Sequence, residues 1–279
     1  MMHTPEEARA IAAKWYERIG IDKKYDKEFY ETLAMAELPH TGDIIEYVTA
    51  NPKGPEVLPI LLYHCEALAE RYRELGIGED VLLAVLDDLR IYCEEWSAVE
   101  GRYTFGTTNW FRRHFSVTLF RLGRLQFGMT QAAADYPTVG LMHGENMVDV
   151  HIPRGGKMTP EACRESFRMA REFFARYFPD FKYNFFTCNS WLLDATLTDF
   201  LPEDSNIIRF GRMFRPASVA KGNYMLSYLY PIGTRVEDLP HITPKTRLAA
   251  DIKEALLAGR VFSPTFGVIP AEEVDTYEV

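Results

Sequence analysis

A loop with two adjacent glycines between two cationic side chains stands within residues 151–165, which read HIPRGGKMTPEACRE. Backbone N–H groups close to a helix start bind phosphate, and glycine lets the chain come close to a ligand. Arg154 and Lys157 bring full positive charges beside these donors. The stretch is therefore consistent with an anion-binding loop, or with a turn whose threonine caps the next helix.

Two acid–base residues precede this loop. Asp149 and His151 are two positions apart in an alternating segment, so a strand would put both side chains on one face, roughly 7 Å apart. A carboxylate beside an imidazole supports proton abstraction from an amine or a thiol. The alternative is the solvated outer face of an antiparallel hairpin. Glu145, in the preceding turn, is a third candidate base, with ordinary turn polarity as its alternative.

A cysteine and a row of tyrosines complete the candidate residues. Cys188 follows an apolar segment and precedes a helix start, which predicts a nucleophilic thiol with His151 as its partner, or else a buried apolar filler. Tyr224, Tyr228 and Tyr230 fall at even spacing, so a strand would place them on one face. A tyrosine there either protonates a leaving thiolate or packs across strands.

The composition limits the classes of function. A formal net charge of -9 over 279 residues argues against binding to nucleic acid or to an anionic membrane. The four cysteines are far apart with no CxxC pair, so we expect reduced thiols and no metal site. The N-terminus carries acidic residues where a signal peptide needs cations followed by an apolar run. No segment approaches the roughly 20 apolar residues that span a bilayer, so we expect a cytoplasmic protein.

The elements that must position these residues follow from capping and periodicity. Thr4-Pro5-Glu6-Glu7 forms a capping box that predicts a helix to about Ile19. Helical spacing predicts three more helices, over residues 55–75, 79–99 and 109–122. Further along, strands and helices alternate. The predicted strands are 124–129, 183–188, 206–214 and 224–230, with a hairpin of 139–143 and 147–152, and the predicted helices are 159–177, one after 189, and 243–258.

Three segments carry a family resemblance. The runs VDVHIPRGGKMTPEA, FFTCNSWLLDATLTDFLPEDSNIIRF and LFRLGRLQF resemble bacterial proteins described as acyltransferase domain-containing. These proteins join a helical N-terminal domain to a GNAT-like C-terminal domain, and the likeness covers most of the chain. The resemblance implies an α+β fold. Residues 1–122 would form the helical domain, and residues 123–279 a GNAT-like acyltransferase domain whose mixed, mostly antiparallel sheet is flanked by helices.

The resemblance also implies a donor site. In GNAT-type enzymes the loop after a central strand wraps the pyrophosphate of acyl-CoA, and the acyl-pantetheine arm enters a gap between that strand and the next parallel one. The gap here would lie between strands 147–152 and 183–188 and would take acyl-CoA or acetyl-CoA as co-substrate. The implied binding residues are Ile152, Pro153, Arg154, Gly155, Gly156, Lys157, Met158, Thr159, Cys188, Asn189 and Ser190. The catalytic candidates are Glu145, Asp149, His151 and Tyr228.

The loop departs from the usual GNAT pattern. Counting from Arg154, Lys157 and Thr159 stand where small residues are expected. The leading hypothesis is an N-acyltransferase that moves an acyl group directly from a CoA thioester to an unidentified small-molecule or peptide amine. A non-catalytic sensor that retains the fold is one alternative, and the missing glycines favour it. A hydrolase or transferase that depends on Cys188 is the other.

Overall fold

The computed structural model describes residues 3–274, and the chain divides into two compact units, residues 1–121 and 122–279. The first is helical, and the sheet belongs almost wholly to the second, so the predicted α+β class is confirmed. Within residues 3–274, no helix is both long and apolar enough to cross a bilayer.

The first unit begins with the predicted capping box. Thr4 accepts the backbone N–H of Glu7, whose carboxylate accepts the N–H of Thr4, so both orphan donors are satisfied. The helix buries Trp15 and Tyr16, and the ring of Tyr16 stacks on Phe29 with centroids 3.7 Å apart. The helices of this unit are α1 Pro5–Ile19, α2 Asp26–Met35, α3 Ile44–Thr49, α4 Val57–Glu74, α5 Glu79–Glu100 and α6 Arg112–Phe115.

A six-stranded sheet organises the second unit. Its strands are β1 Leu119–Leu122, β2 Leu125–Gln131, β3 Asn146–His151, β4 Phe185–Ser190, β5 Arg215–Val219 and β6 Thr265–Pro270. The strand order is β1-β2-β3-β4-β6-β5. The pairs β2–β3, β4–β6 and β5–β6 are antiparallel, and β3–β4 is parallel. A parallel pair needs a crossover connection, which helix α7, Pro160–Tyr177, supplies.

Helix α7 covers one face of the sheet. Its buried stripe packs Phe167 against Phe127 of β2 and Phe186 of β4, with ring centroids 5.5 and 5.0 Å away. Phe127 stands opposite Val150 in the register, so Val150 shares that face. Alternation then sends Asp149 and His151 to the other face. The strand therefore separates its apolar packing from its polar chemistry.

Two predicted strands are wrong, because residues 206–214 and 224–230 form short helices. Helix α8 is Asn206–Arg212 and helix α9 is Leu226–Leu229. Ser205 caps α8 by accepting the N–H of Ile208, and the core beneath both helices offers no strand partner. Helix α10, Arg247–Leu257, starts at the cap Thr246, within the predicted helix 243–258. The buried members of this core are Trp191, Leu197, Ile208, Met225, Leu226, Tyr230, Leu239, Ala249, Ile252, Leu256 and Phe262.

Two other predictions need correction. The predicted hairpin of 139–143 with 147–152 is absent from the described residues, because β3 pairs with β2 instead. Residues near 139–143 form only an isolated bridge between Tyr136 and Leu141. The predicted helix 109–122 ends at Phe115, and its last residues form β1. The predicted helix after residue 189 is two short 3-10 turns, 191–193 and 195–199.

Candidate functional site

A wedge opens between β3 and β4. The two strands pair at only two rungs, Val148 with Phe186 and Asp149 with Thr187, although each strand has six residues. Beyond those rungs the strands separate, and a cavity of about 850 Å³ lies at the opening. Parallel strands normally pair evenly along their length. The early loss of pairing therefore exposes backbone edges of both strands to the cavity.

The cavity collects most of the residues that the sequence singled out. Val150 and His151 line it from β3, and Cys188, Asn189 and Ser190 line it from β4. Ile152–Met158 form another wall, so all of the predicted binding residues line the cavity except Thr159. Apolar side chains complete the lining, among them Trp191, Leu192, Leu201, Ile207, Leu229 and Leu248.

The glycine loop presents backbone donors. Gly155 and Gly156 adopt left-handed conformations with φ of 82° and 70°, which glycine reaches without steric cost. Among the described residues, none accepts a hydrogen bond from the N–H groups of Gly155, Gly156, Lys157 or Met158. Successive N–H groups in such a turn form a concave anion site. The geometry therefore supports anion binding by the loop itself.

The start of α7 contributes less than the sequence suggested. The Thr159 hydroxyl accepts the N–H of Ala162 at 3.3 Å, and the Thr159 carbonyl accepts the N–H of Cys163. Pro160, the first helical residue, has no N–H to offer. Two donors of the first turn are thus occupied and a third is missing, so the loop carries more of the available donors than the helix end.

The two cations of the loop differ in what they contact. The Arg154 guanidinium donates to the carbonyl oxygens of Ser227 and Tyr228 at the end of α9 and lies 5.7 Å from the centre of the Tyr228 ring. Arg154 therefore ties the loop to α9. Lys157 is exposed, and its ammonium group contacts no acidic side chain in the described part of the chain. Lys157 is the cation that remains available to a ligand.

Asp149 and His151 form a hydrogen-bonded dyad. The Nε2–H of His151 donates to Oδ2 of Asp149 at 2.7 Å, and the side chains retain 31% and 21% of their exposure. The predicted same-face arrangement is therefore confirmed. Gln126, buried, stands opposite His151 in the register, and Thr187, also buried, stands opposite Asp149. This polar group lies on the face opposite α7 and beside the closed end of the wedge.

Glu145 lies away from the dyad. It precedes the first residue of β3, whereas His151 is the last, and six residues of strand span roughly 20 Å. Its carboxylate accepts the N–H of Met142 within the turn, and it does not line the cavity. The structure thus supports ordinary turn polarity for Glu145 over the role of base.

Cys188 has the surroundings of an apolar filler. Only 1% of it is exposed, and burial raises the pKa of its thiol, with the charge of Asp149 adding to the effect. The predicted lowering of that pKa by the helix start is wrong, because the loss of hydration outweighs the partial charge of a short 3-10 turn. A thiol that stays protonated is a poor nucleophile.

The tyrosine row does not exist as predicted. Tyr228 sits in α9 with 56% of its surface exposed, and Tyr224 precedes the helix with 61% exposed. Tyr230 is buried and donates its hydroxyl proton to the carbonyl of Ala249. Of the three, Tyr228 alone lines the cavity.

Thr187 and Gln126 were missed by sequence reasoning. Thr187 lies in the predicted strand 183–188 and Gln126 in the predicted strand 124–129. A polar residue inside such a strand was the available signal, because a buried polar side chain needs a partner. The fold brings both residues beside the dyad.

A second cavity of about 1010 Å³ lies beside the end of α7 and the start of β4. Its arginines are engaged, because Arg168 pairs with Glu165 and Glu172, and Arg215 pairs with Glu273. Among its lining residues within 3–274, none carries an imidazole or a thiol. Among the described residues, no group of three or more His, Cys, Asp or Glu side chains is placed to hold a metal ion. The smaller cavity at the wedge is therefore the better candidate site.

Solved structures of acyltransferases share this fold. One is an acyltransferase in complex with decanoyl-CoA and teicoplanin, with 22% identity over 97% of this chain and 90% of that chain and a TM-score of 0.76. Another is an acyltransferase mutant in complex with octanoyl-CoA, with 23% identity over 97% and 89% of the two chains and a TM-score of 0.72. No curated protein sequence matches the chain.

Two family descriptions cover the sequence almost end to end. Residues 1–117 match the N-acyltransferase N-terminal domain. Residues 119–269, more than half of the chain, match the GNAT-like C-terminal domain, the part that contains the wedge, the glycine loop and the dyad. The chain therefore belongs to the family of acyltransferases with a GNAT-like C-terminal domain.

Proposed function

We propose that the protein transfers an acyl group from an acyl-CoA thioester to an amine by direct attack. The observation that carries the proposal is the wedge between β3 and β4, which leads from the dyad to a loop with four available N–H groups. Acyl-CoA carries a diphosphate, an amide-bearing arm and a thioester in that order. Along this cavity the diphosphate would lie at the loop, the arm in the wedge and the thioester near the dyad. The relatives in complex with decanoyl-CoA and octanoyl-CoA support CoA as the donor's carrier.

The donor would bind mainly through backbone groups. The N–H groups of residues 155–158 would hold the pyrophosphate, and Lys157 would add a charge-assisted hydrogen bond. The pantetheine amides would pair with the strand edges that the wedge leaves open. Arg154, held by the end of α9, would fix the loop rather than contact phosphate.

His151 would serve as the base. Its Nε2–H is held by Asp149, so Nδ1 carries the lone pair that can accept a proton from the attacking amine. As the nitrogen attacks the thioester carbonyl, the C–N bond forms and the oxygen becomes an oxyanion, which backbone N–H groups at the wedge would stabilise. Collapse breaks the C–S bond and releases the CoA thiolate, which takes up a proton. Tyr228, which lines the cavity, is the candidate donor of that proton.

The acceptor is proposed to be an amine of a small molecule or a peptide-like compound. One acyltransferase of the same fold is in complex with teicoplanin, and this supports an acceptor of that general size. The net charge of -9 disfavours a nucleic-acid acceptor. Because acyl-CoA thioesters are made inside cells, the proposal places the reaction in the cytoplasm.

A binding screen tests the donor. We expect octanoyl-CoA, decanoyl-CoA, acetyl-CoA or free CoA to raise the melting temperature, since ligand at 100 times its Kd adds about 2.7 kcal/mol to the free energy of unfolding. The size of the rise across the series also ranks the acyl-chain lengths by affinity. If none of these ligands stabilises the protein, the proposal is wrong.

An activity assay tests the chemistry. Thiol release from acyl-CoA is followed against a panel of amines, with little background because the four protein thiols are buried. We expect His151→Gln to lower kcat by about 100-fold or more, as loss of a general base does. The matched control Glu145→Gln should stay within about twofold, because its carboxylate lies at the far end of β3. Binding without thiol release from any amine would favour the sensor alternative.

A further inference from the structure

Thr187 carries a hydroxyl that the fold does not use. The residue is fully buried in β4, and among the described residues nothing forms a hydrogen bond with its Oγ1. A buried hydroxyl without a partner destabilises the native state, because it loses its hydrogen bonds to water. Valine has nearly the same shape and would avoid that cost. We therefore expect this hydroxyl to form, in the substrate complex, a hydrogen bond that is not made in this structure.

The register places that hydroxyl beside the dyad. Thr187 stands opposite Asp149 at the last paired rung before β3 and β4 separate. Side chains directly opposite each other on neighbouring strands share a face, and the strands lie about 4.8 Å apart. Thr187 therefore shares the polar face with Asp149 and His151, at the closed end of the wedge.

Asp149 can accept another donor. A carboxylate offers about four lone-pair positions over its two oxygens, so it can accept from several donors at once, His151 among them. Each further donor restricts the position of the carboxylate and of the imidazole that it holds. Catalytic hydrogen bonds are often long in the free protein and shorten in the substrate complex.

We propose that Thr187 is a positioning residue whose hydroxyl donates to the Asp149 carboxylate in the substrate complex, so that Asp149 holds His151 in the orientation that accepts the amine proton. The inference rests on the proposed acyl transfer. Thr187 acts through Asp149 and does not contact the substrate. Its hydroxyl lowers the stability of the free protein and aligns the base in the substrate complex.

Isosteric variants test this role. Thr187→Val removes the hydroxyl and keeps the shape, whereas Thr187→Ser keeps the hydroxyl. Thr130→Val is the control, because Thr130 lies on the same sheet opposite Met147, away from the dyad. We expect Thr187→Val to lower kcat about tenfold, to leave the KM for acyl-CoA within twofold, and to leave the melting temperature unchanged or higher. Thr187→Ser should stay within about threefold of the parent kcat, and Thr130→Val within twofold.

A double variant separates positioning from other roles. If Thr187 acts through Asp149, then Thr187→Val should not lower kcat further in the Asp149→Asn background, because the effects of residues that act as a unit are not additive. Full additivity would overturn the inference. An unchanged kcat in Thr187→Val would also overturn it, and so would a lower melting temperature with weaker acyl-CoA binding, which is the signature of a structural hydroxyl.

A spectroscopic readout keeps this test independent of activity. The ¹⁵N NMR signals of the His151 imidazole, assigned with His151→Gln, report which ring nitrogen carries the proton at a fixed pH. With acyl-CoA bound and no amine present, we expect Thr187→Val to change those signals and Thr130→Val to leave them unchanged. If acyl-CoA binds but no amine is acylated, the proposed acyl transfer is wrong, yet a changed signal in the acyl-CoA complex would still support the link from Thr187 to the dyad. An unchanged signal in the acyl-CoA complex of Thr187→Val would overturn the inference.

Discussion

Substitution of Lys157 tests whether the glycine loop binds a phosphate group. The side chain is exposed and contacts no acidic side chain within residues 3–274, whereas the Arg154 guanidinium is engaged by two carbonyl oxygens of α9. If the loop holds a pyrophosphate, Lys157→Gln removes one charge pair and changes no contact within the protein. Arg154→Gln instead releases the loop from α9. We therefore expect Lys157→Gln to affect only the binding of phosphate, and Arg154→Gln to change the shape of the cavity.

The magnitude follows from Coulomb's law. Two unit charges 4 Å apart attract by about 1 kcal/mol in water and about 4 kcal/mol at an effective dielectric constant of 20. Lys157 is exposed, so the value for water applies, and exposed pairs measure at or below about 1 kcal/mol. We therefore expect the Kd for CoA to rise about fivefold in Lys157→Gln. The difference should shrink at 1 M salt, where the Debye length is about 3 Å.

Calorimetric titration with two donors provides the assay. The Kd is measured for acyl-CoA and for acyl-pantetheine, which carries no phosphate. We expect Lys157→Gln to weaken acyl-CoA alone, and Arg154→Gln to weaken both donors because it alters the wall of the cavity. Lys182→Gln is the charge-matched control, since Lys182 is exposed near the start of β4, away from the loop. Equal weakening of both donors by Lys157→Gln, or weakening of acyl-CoA by the control, would refute phosphate recognition by this loop.

Three further predictions concern chemistry and stability. Cys188→Ala should keep the rate of thiol release within a few fold, because burial raises the pKa of that thiol; a loss of orders of magnitude would restore covalent catalysis. Gly267→Ala should cost about 1–3 kcal/mol in denaturant unfolding, since a Cβ there would meet Phe214 Cβ at 2.6 Å, and an unchanged midpoint would contradict this packing. Burial beside His40 lowers the pKa of His64 to about 4 from 6.5. The unfolded state therefore binds more protons between those values, so stability should fall as the pH drops through that window, and His64→Gln should flatten the fall; an equally steep fall in that variant would count against it.

Local signals in the sequence predicted the helices with clear ends. The capping box at Thr4 and the cap at Thr159 were visible as residue types, and helices begin at both. The strand 183–188 was recognisable as a short apolar run, and it overlaps β4. The contact between Asp149 and His151 followed from a two-residue spacing on a strand, which fixes the face without any tertiary information.

Other elements depend on partners that no local pattern names. Residues 206–214 are rich in β-branched and aromatic side chains, which favour a strand, yet they fold as α8 because Ser205 caps them over a helical core. The strands β5 and β6 were not predicted, since they are defined by pairing between distant segments. From the sequence, Arg154 was expected to contact phosphate. Its contacts with Ser227 and Tyr228 join residues more than 70 positions apart, so no local pattern could predict them.

The open edges of β3 and β4 have a consequence for how this protein tolerates change. A ligand that brings its own amide groups can complete the sheet there, as an added strand does, and every residue supplies the same N–H and C=O groups. The part of the binding free energy that comes from these backbone hydrogen bonds does not depend on side chains. Side-chain substitutions along the wedge therefore leave it intact. Homologues with little sequence in common can therefore bind the same kind of amide-bearing ligand, provided that their strands separate at the same rung.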